Sequence, residues 1–266
     1  MMTSSPWRVL ADGSAGVVLT VAFEARRGDP GFADLASYLT GYRVLEAVPP
    51  ATTVAEVTEY GSYIEPWLTG ALADGSSVVG VLGHCAGAPL AARLATAIRR
   101  SGAAEPTLVT VDPVLVDSRI AAQEYRRAVD SLAAQLTPEE LAGARAVGAG
   151  TGPTTTGRAL LPVLVALEDA YRTALAAACR TVRVPAAMRQ QLADRFSAYL
   201  AYLAASSLSA DEPQAVAPLG ALVLSGTQDA EYPAGLLVGA TTFPTDRPRL
   251  LADADVAAFI LKVLGP

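Results

Sequence analysis

A regular alternation constrains this chain more than any other feature. Short apolar runs occupy residues 16–23 (GVVLTVAF), 42–48 (YRVLEAV), 77–83 (SVVGVLG) and 107–112 (TLVTVD), and segments with helical spacing (31–40, 56–73 and 87–100) separate them. Continuous apolar runs of this length suit strands buried on both faces. Their alternation with helices predicts a doubly wound, mostly parallel sheet with helices on both sides. A fifth run, 220–226 (GALVLSG), a further apolar run ending in GATTF, and a closing helix (DADVAAFILKVL) complete the pattern.

From about residue 118 to 218 the strand signals vanish. SRIAAQEYRRAVDSLAAQL reads as a helix, and TPEE starts another, with Thr137 as cap, Pro138 at the first position and Glu140 reaching back. After GAGTGPTTTG, two more helical stretches cover 158–179 and 185–205. In the second, Met188, Leu192, Phe196, Tyr199 and Leu203 fall near one face, a stripe expected in a core or along a substrate tunnel. A helical insertion between two late strands reads as a lid on a single domain spanning residues 1–266.

A formal charge of −6 and the absence of a basic cluster exclude the usual face of a nucleic-acid binder. The uncharged stretch 75–92 is broken by glycines and Pro89, so no membrane span is expected there. At the N-terminus, Arg8 precedes an apolar run as in a signal peptide, but Asp12 interrupts it and GVVLTVAF suits a central strand. Cys85 and Cys179 are the only cysteines, and a reducing cytoplasm is the natural setting. One histidine, His84, and no cysteine cluster leave no zinc pattern, and no cofactor motif stands out.

The chemistry concentrates in GHCAG, where strand 77–83 turns through Gly83-His84-Cys85-Ala86-Gly87 into a helix. This is the layout of a nucleophile elbow, whose glycines let the turn close while Cys85 is forced outward. The helix directs its positive end at the sulfur and favours thiolate over thiol. The Ala86 amide is placed to donate to a developing oxyanion. His84 points the opposite way from its neighbour and is expected to pack beneath the turn.

The segments LGHCAGAPLAARLATAIRRSG and PTLVTVDPVLVD resemble the thioesterase domains that release chains from polyketide and nonribosomal peptide synthases, members of the α/β-hydrolase fold. Cys85 stands at the family's serine, and Asp112 follows it at the family's interval for the triad aspartate. With cysteine as nucleophile, the chain is most similar to the freestanding Dieckmann cyclases that form tetramate and pyridone rings. The resemblance places VAFEARRG at the oxyanion loop, with the amide of Arg26 or Ala25 opposite that of Ala86. It also places a histidine after the last strand, where this chain has Thr241, Thr242 and a proline, with Asp246 nearby as a substitute base. Asp229 falls at the alternative acid position of other α/β-hydrolases.

The resemblance implies acyl transfer from the phosphopantetheine arm of an acyl or peptidyl carrier protein to Cys85, then intramolecular carbon–carbon closure. Arg26 and Arg27 are candidates for meeting the acidic carrier or its phosphate. A hydrolytic or editing thioesterase is the alternative within the enzyme class. A degenerate hydrolase fold that binds an acyl chain or carrier protein without turnover is the alternative outside it.

Overall fold

A computed structural model of the chain describes residues 5–23, 30–73, 75–149, 154–210, 220–227 and 239–265. Among the described residues, one sheet comprises β1 (Trp7–Ala11), β2 (Val17–Val21), β3 (Arg43–Ala47), β4 (Val78–His84), β5 (Thr107–Val111), β6 (Gly220–Ser225) and β7 (Thr241–Phe243). Their order is β1-β3-β2-β4-β5-β6-β7. All neighbours are parallel except β1, which runs antiparallel to β3.

β1 corrects the sequence reading, which made residues 16–23 the first strand. The cysteine turn therefore follows the fourth strand rather than the third. β1 escaped because it is short and half exposed, in the pattern of an edge strand. Arg8 on β1 pairs with Glu46 opposite it on β3. Indole nitrogens tie the edge further: Trp7 donates to the Trp67 carbonyl (3.1 Å) and Trp67 to that of Val48 (2.8 Å).

The chain divides into two compact units. One comprises Met1–Pro49, Gly61–Leu115 and Glu212–Pro266 and holds the sheet with α1 (Phe32–Ala36), most of α2 (Tyr60–Leu72), α3 (Gly87–Arg100) and α8 (Ala254–Leu264). Val18, Leu82, Val109, Val111 and Val223 lie on one face of the sheet, buried with Phe32, Leu35, Leu250, Val256 and Ile260. Each such side chain, removed from water, contributes about 1.5–3 kcal/mol. The opposite face carries Leu19, Val81 and Leu108, and α3 supplies the buried Leu90, Leu94 and Ile98.

The second unit comprises Pro50–Tyr60 and Val116–Asp211, with α4 (Ser118–Asp130), α5 (Pro138–Val147), α6 (Leu161–Thr181) and α7 (Ala186–Ala210). Thr137 and Glu140 form the expected capping box, with Pro138 in the first turn. Asp117 caps α4 by accepting from the amides of Arg119 and Ile120, both at 2.9 Å. Buried Glu168 accepts from Arg172 (2.8 Å) and from the Val54 amide (3.3 Å), so its charge is compensated inside the unit. The α7 stripe divides: Phe196 and Leu203 are buried, whereas Met188 and Leu192 are exposed among the described residues. Among the described residues, no helix is long and apolar enough to cross a membrane, and no group of histidine, cysteine and carboxylate side chains is placed to hold a metal.

Candidate active site

β4 ends at His84 and α3 begins at Gly87, leaving Cys85 at φ 55° between them. A non-glycine residue in the left-handed region costs about 1–2 kcal/mol and persists only where its surroundings hold it. Here the backbone does so. The Cys85 amide donates to the Val111 carbonyl (3.0 Å), and the Cys85 carbonyl accepts from the amides of Ala88 (3.2 Å) and Val114 (3.1 Å). Gly83 is required by the same close approach, since a Cβ there would sit 2.6 Å from both Ala88 Cα and Ala91 Cβ. Ala86 is the N-cap residue of α3, in helical conformation and buried.

Asp112 follows β5 and is fully buried, also in the left-handed region at φ 39°. Its amide donates to the Val223 carbonyl at 2.9 Å. Its carboxylate accepts from the Ser225 amide (2.8 Å) and hydroxyl (2.6 Å), so the adjacent strand β6 fixes the acid.

The cation of the site is Arg247, which sequence reasoning missed. It opens the 3-10 helix Arg247–Ala252, with Asp246 as N-cap, and its amide donates to Thr227 Oγ1 at 3.2 Å. Its Nη2 lies 3.3 Å from Cys85 Sγ and 3.3 Å from the Asp112 carbonyl oxygen, while Nε lies 3.8 Å from Asp112 Oδ2. A single nitrogen thus joins the thiol to the backbone of the acid. The side chain stays about one-third exposed (35%). Guanidinium has donors and no acceptor and does not deprotonate at physiological pH, so it contributes charge and hydrogen bonds but cannot take a proton.

The expected histidine region divides accordingly. Thr241 and Thr242 are part of β7, paired with Val223 and Leu224. Asp246 accepts the Arg249 amide at 2.9 Å through its own carbonyl. From this region it is Arg247, one residue further, that contacts the sulfur. Arg26, Arg27, Ala25 and Asp229 lie outside the described residues. Cys179 is buried in α6, within the helical unit.

His84 sits in register with Val111, and its ring meets Phe32 edge-on, with centroids 6.4 Å apart. This is the packing beneath the turn that the elbow pattern predicts. Although the residue keeps a partly exposed edge, Nε2 is sealed and has no hydrogen-bond partner among the described residues. Burial lowers its pKa to about 4, assisted by the Arg247 charge and opposed by Asp112. The unfolded chain takes up a proton near the ordinary pKa of 6.5 that the folded chain refuses. Stability should therefore fall as pH drops from 6.5 towards 4, by up to about 3 kcal/mol. Denaturant titrations at several pH values, compared with His84→Gln, measure this; the variant should lose that part of the slope.

No protein-family model matches the sequence, and no curated protein matches it. Solved structures do. The Vlm2 thioesterase domain, carrying genetically encoded 2,3-diaminopropionic acid and bound with a dodecadepsipeptide, is 14% identical and superposes with a TM-score of 0.52 over 99% of each chain. A second crystal form gives 16% identity and 0.51 over 94% of this chain and 97% of that one. Holo-AB3403, a four-domain nonribosomal peptide synthetase bound to AMP and glycine, is 14% identical with a TM-score of 0.55, over 96% of this chain and 20% of that one. The parallel sheet, the sharp turn between β4 and α3, and this near-complete superposition establish that the chain adopts the α/β-hydrolase fold.

Proposed function

We propose that the protein is a thioesterase-like chain-release enzyme that cyclises its product. Cys85 takes an acyl chain from the phosphopantetheine arm of a carrier protein. A carbon flanked by two carbonyls in that chain then attacks the Cys85 thioester and leaves as a tetramate or pyridone ring. The observation that carries this reading is the left-handed Cys85 with a guanidinium 3.3 Å from its sulfur, at the entrance to α3. A neighbouring cation and a helix N-terminus both favour the nucleophilic thiolate. The Ala86 amide, with an amide from the loop containing Arg26, receives the charge on the tetrahedral oxygen.

With His84, packed against Phe32, as the one histidine of the sequence, hydrolysis is the harder fate for the acyl-enzyme, because attacking water must lose a proton. A 1,3-dicarbonyl carbon is acidic before it binds, and holding it next to the thioester supplies much of the remaining rate. The enzyme works in the cytoplasm on a carrier-bound substrate.

Intact mass spectrometry with a β-ketoacyl-aminoacyl thioester mimic tests this reading. The native protein should yield a product lacking only the thiol, and Cys85→Ala should yield none. Product carrying added water would instead identify a hydrolase. A bound substrate that gives neither adduct nor product would identify a binding protein.

A further inference from the structure

We propose that Arg247 replaces the proton-accepting partner of the nucleophile with a fixed cation, and that this restricts the enzyme to substrates able to ionise at carbon. The inference rests on the acyl-transfer reading of Cys85 for its second half; its first half concerns the thiol alone. Arg247, one residue beyond Asp246, contacts Cys85 Sγ and also donates to the carbonyl of Asp112. The carboxylate of Asp112, held by Ser225, lies alongside Nε. In a triad the acid orients an imidazole. Here it orients a guanidinium.

The charges and protons balance without a side-chain base. The Cys85 thiolate attacks the carrier thioester, forming the Cys85 acyl bond and expelling the carrier thiolate. The expelled thiolate takes the proton from the carbon between the two carbonyls and leaves as free carrier thiol. The resulting enolate attacks the acyl carbon, the bond to Cys85 Sγ breaks, and the ring departs with the thiolate restored. No proton is gained or lost overall. Once the sulfur is acylated, the Nη2 hydrogen that faced it is left beside the new thioester, where it donates to the enolate oxygen. The cation that held the thiolate before acylation thus holds the anion that resolves it.

A chain without an acidic carbon has no such exit. It should load onto Cys85 and remain there, so Arg247 would select substrates by their fate after loading.

The first test needs no acyl substrate. Iodoacetamide labelling of Cys85, followed by peptide mass with buried Cys179 as the internal reference, is measured against pH for the native protein, Arg247→Lys and Arg247→Met. The native thiol should keep most of its alkaline rate at mildly acidic pH. Arg247→Met should lose roughly tenfold there, equivalent to one pH unit in thiolate fraction, and converge with the native protein at alkaline pH. Arg247→Lys should lie between them, since a point charge preserves attraction but not the planar bridge. Superimposable native and Arg247→Met profiles would overturn the cation role. If Arg247→Met fails to fold, the native profile still decides: a rate that falls in proportion to hydroxide below the ordinary thiol range rejects it.

The second test loads the native protein with a β-ketoacyl mimic dimethylated at the central carbon. A persistent acyl adduct is expected, whereas prompt release of free acid would overturn the selection argument. Failure of ring formation with the unmethylated mimic, alongside an intact alkylation profile, would remove the proposed function while leaving the cation role standing.

Discussion

On the proposed mechanism, Arg247→His should release free acid where the native protein would release ring. Imidazole is shorter than the arginine it replaces, so from the same backbone position it should stop about one water short of the Cys85 thioester. A water in that gap is the required nucleophile, and the ring nitrogen can take its proton. A positioned general base contributes about 10²- to 10⁴-fold, so hydrolysis of the acyl-enzyme should rise by at least two orders of magnitude. Chromatography of the products with mass detection measures the ratio of ring to acid. If the variant still makes only ring, the identity of residue 247 does not control the fate of the acyl-enzyme.

The second large effect is expected at Asp112. Its carboxylate is fully buried and receives both hydrogen bonds from Ser225, with the Arg247 guanidinium alongside. Asp112→Ala leaves the Ser225 amide and hydroxyl unsatisfied and the guanidinium without its counter-charge. Stranded buried donors cost about 1–3 kcal/mol each, more beside a charge, and the partial exposure of Arg247 moderates the ionic part. A net loss of about 3 kcal/mol is expected from denaturant unfolding. Asp112→Asn keeps an acceptor for the Ser225 amide and should lose about half as much. Both variants should slow Cys85 alkylation at mildly acidic pH, because the arginine is no longer held. An Asp112→Ala protein as stable as the native one would show that the Ser225 contacts contribute little.

What could be read from the sequence followed the range over which each signal acts. The elbow was legible because its strand, its glycines and the following helix are contiguous, and each is demanded by the same tight turn. Asp112 was legible because it closes the next strand. The capping box at Thr137 and Glu140 was legible for the same local reason. β1 was missed because an edge strand with one half-exposed face lacks the continuous apolar run that marks its buried neighbours. Met188 and Leu192 share a face with Phe196 and Leu203 yet stay exposed, because helical spacing identifies a shared face, in a core or along a tunnel, and not what covers it. Arg247 was invisible for a different reason. It sits in a polar segment with other arginines nearby, and its partners Asp112 and Cys85 are 135 and 162 residues away. Only the parallel register of β5, β6 and β7 brings it to the sulfur.

That separation has a consequence during synthesis. Cys85 leaves the ribosome 162 residues before Arg247, and Asp112 leaves 113 residues before Ser225. At about 5–20 residues per second, the interval between thiol and guanidinium is roughly 10–30 s. Through that interval the nascent thiol lacks its guanidinium neighbour, and the acid beside that guanidinium lacks its own donors. The surroundings of the sulfur are therefore completed only after β7 has been made, so a stalled or truncated nascent chain carries the thiol without its cation.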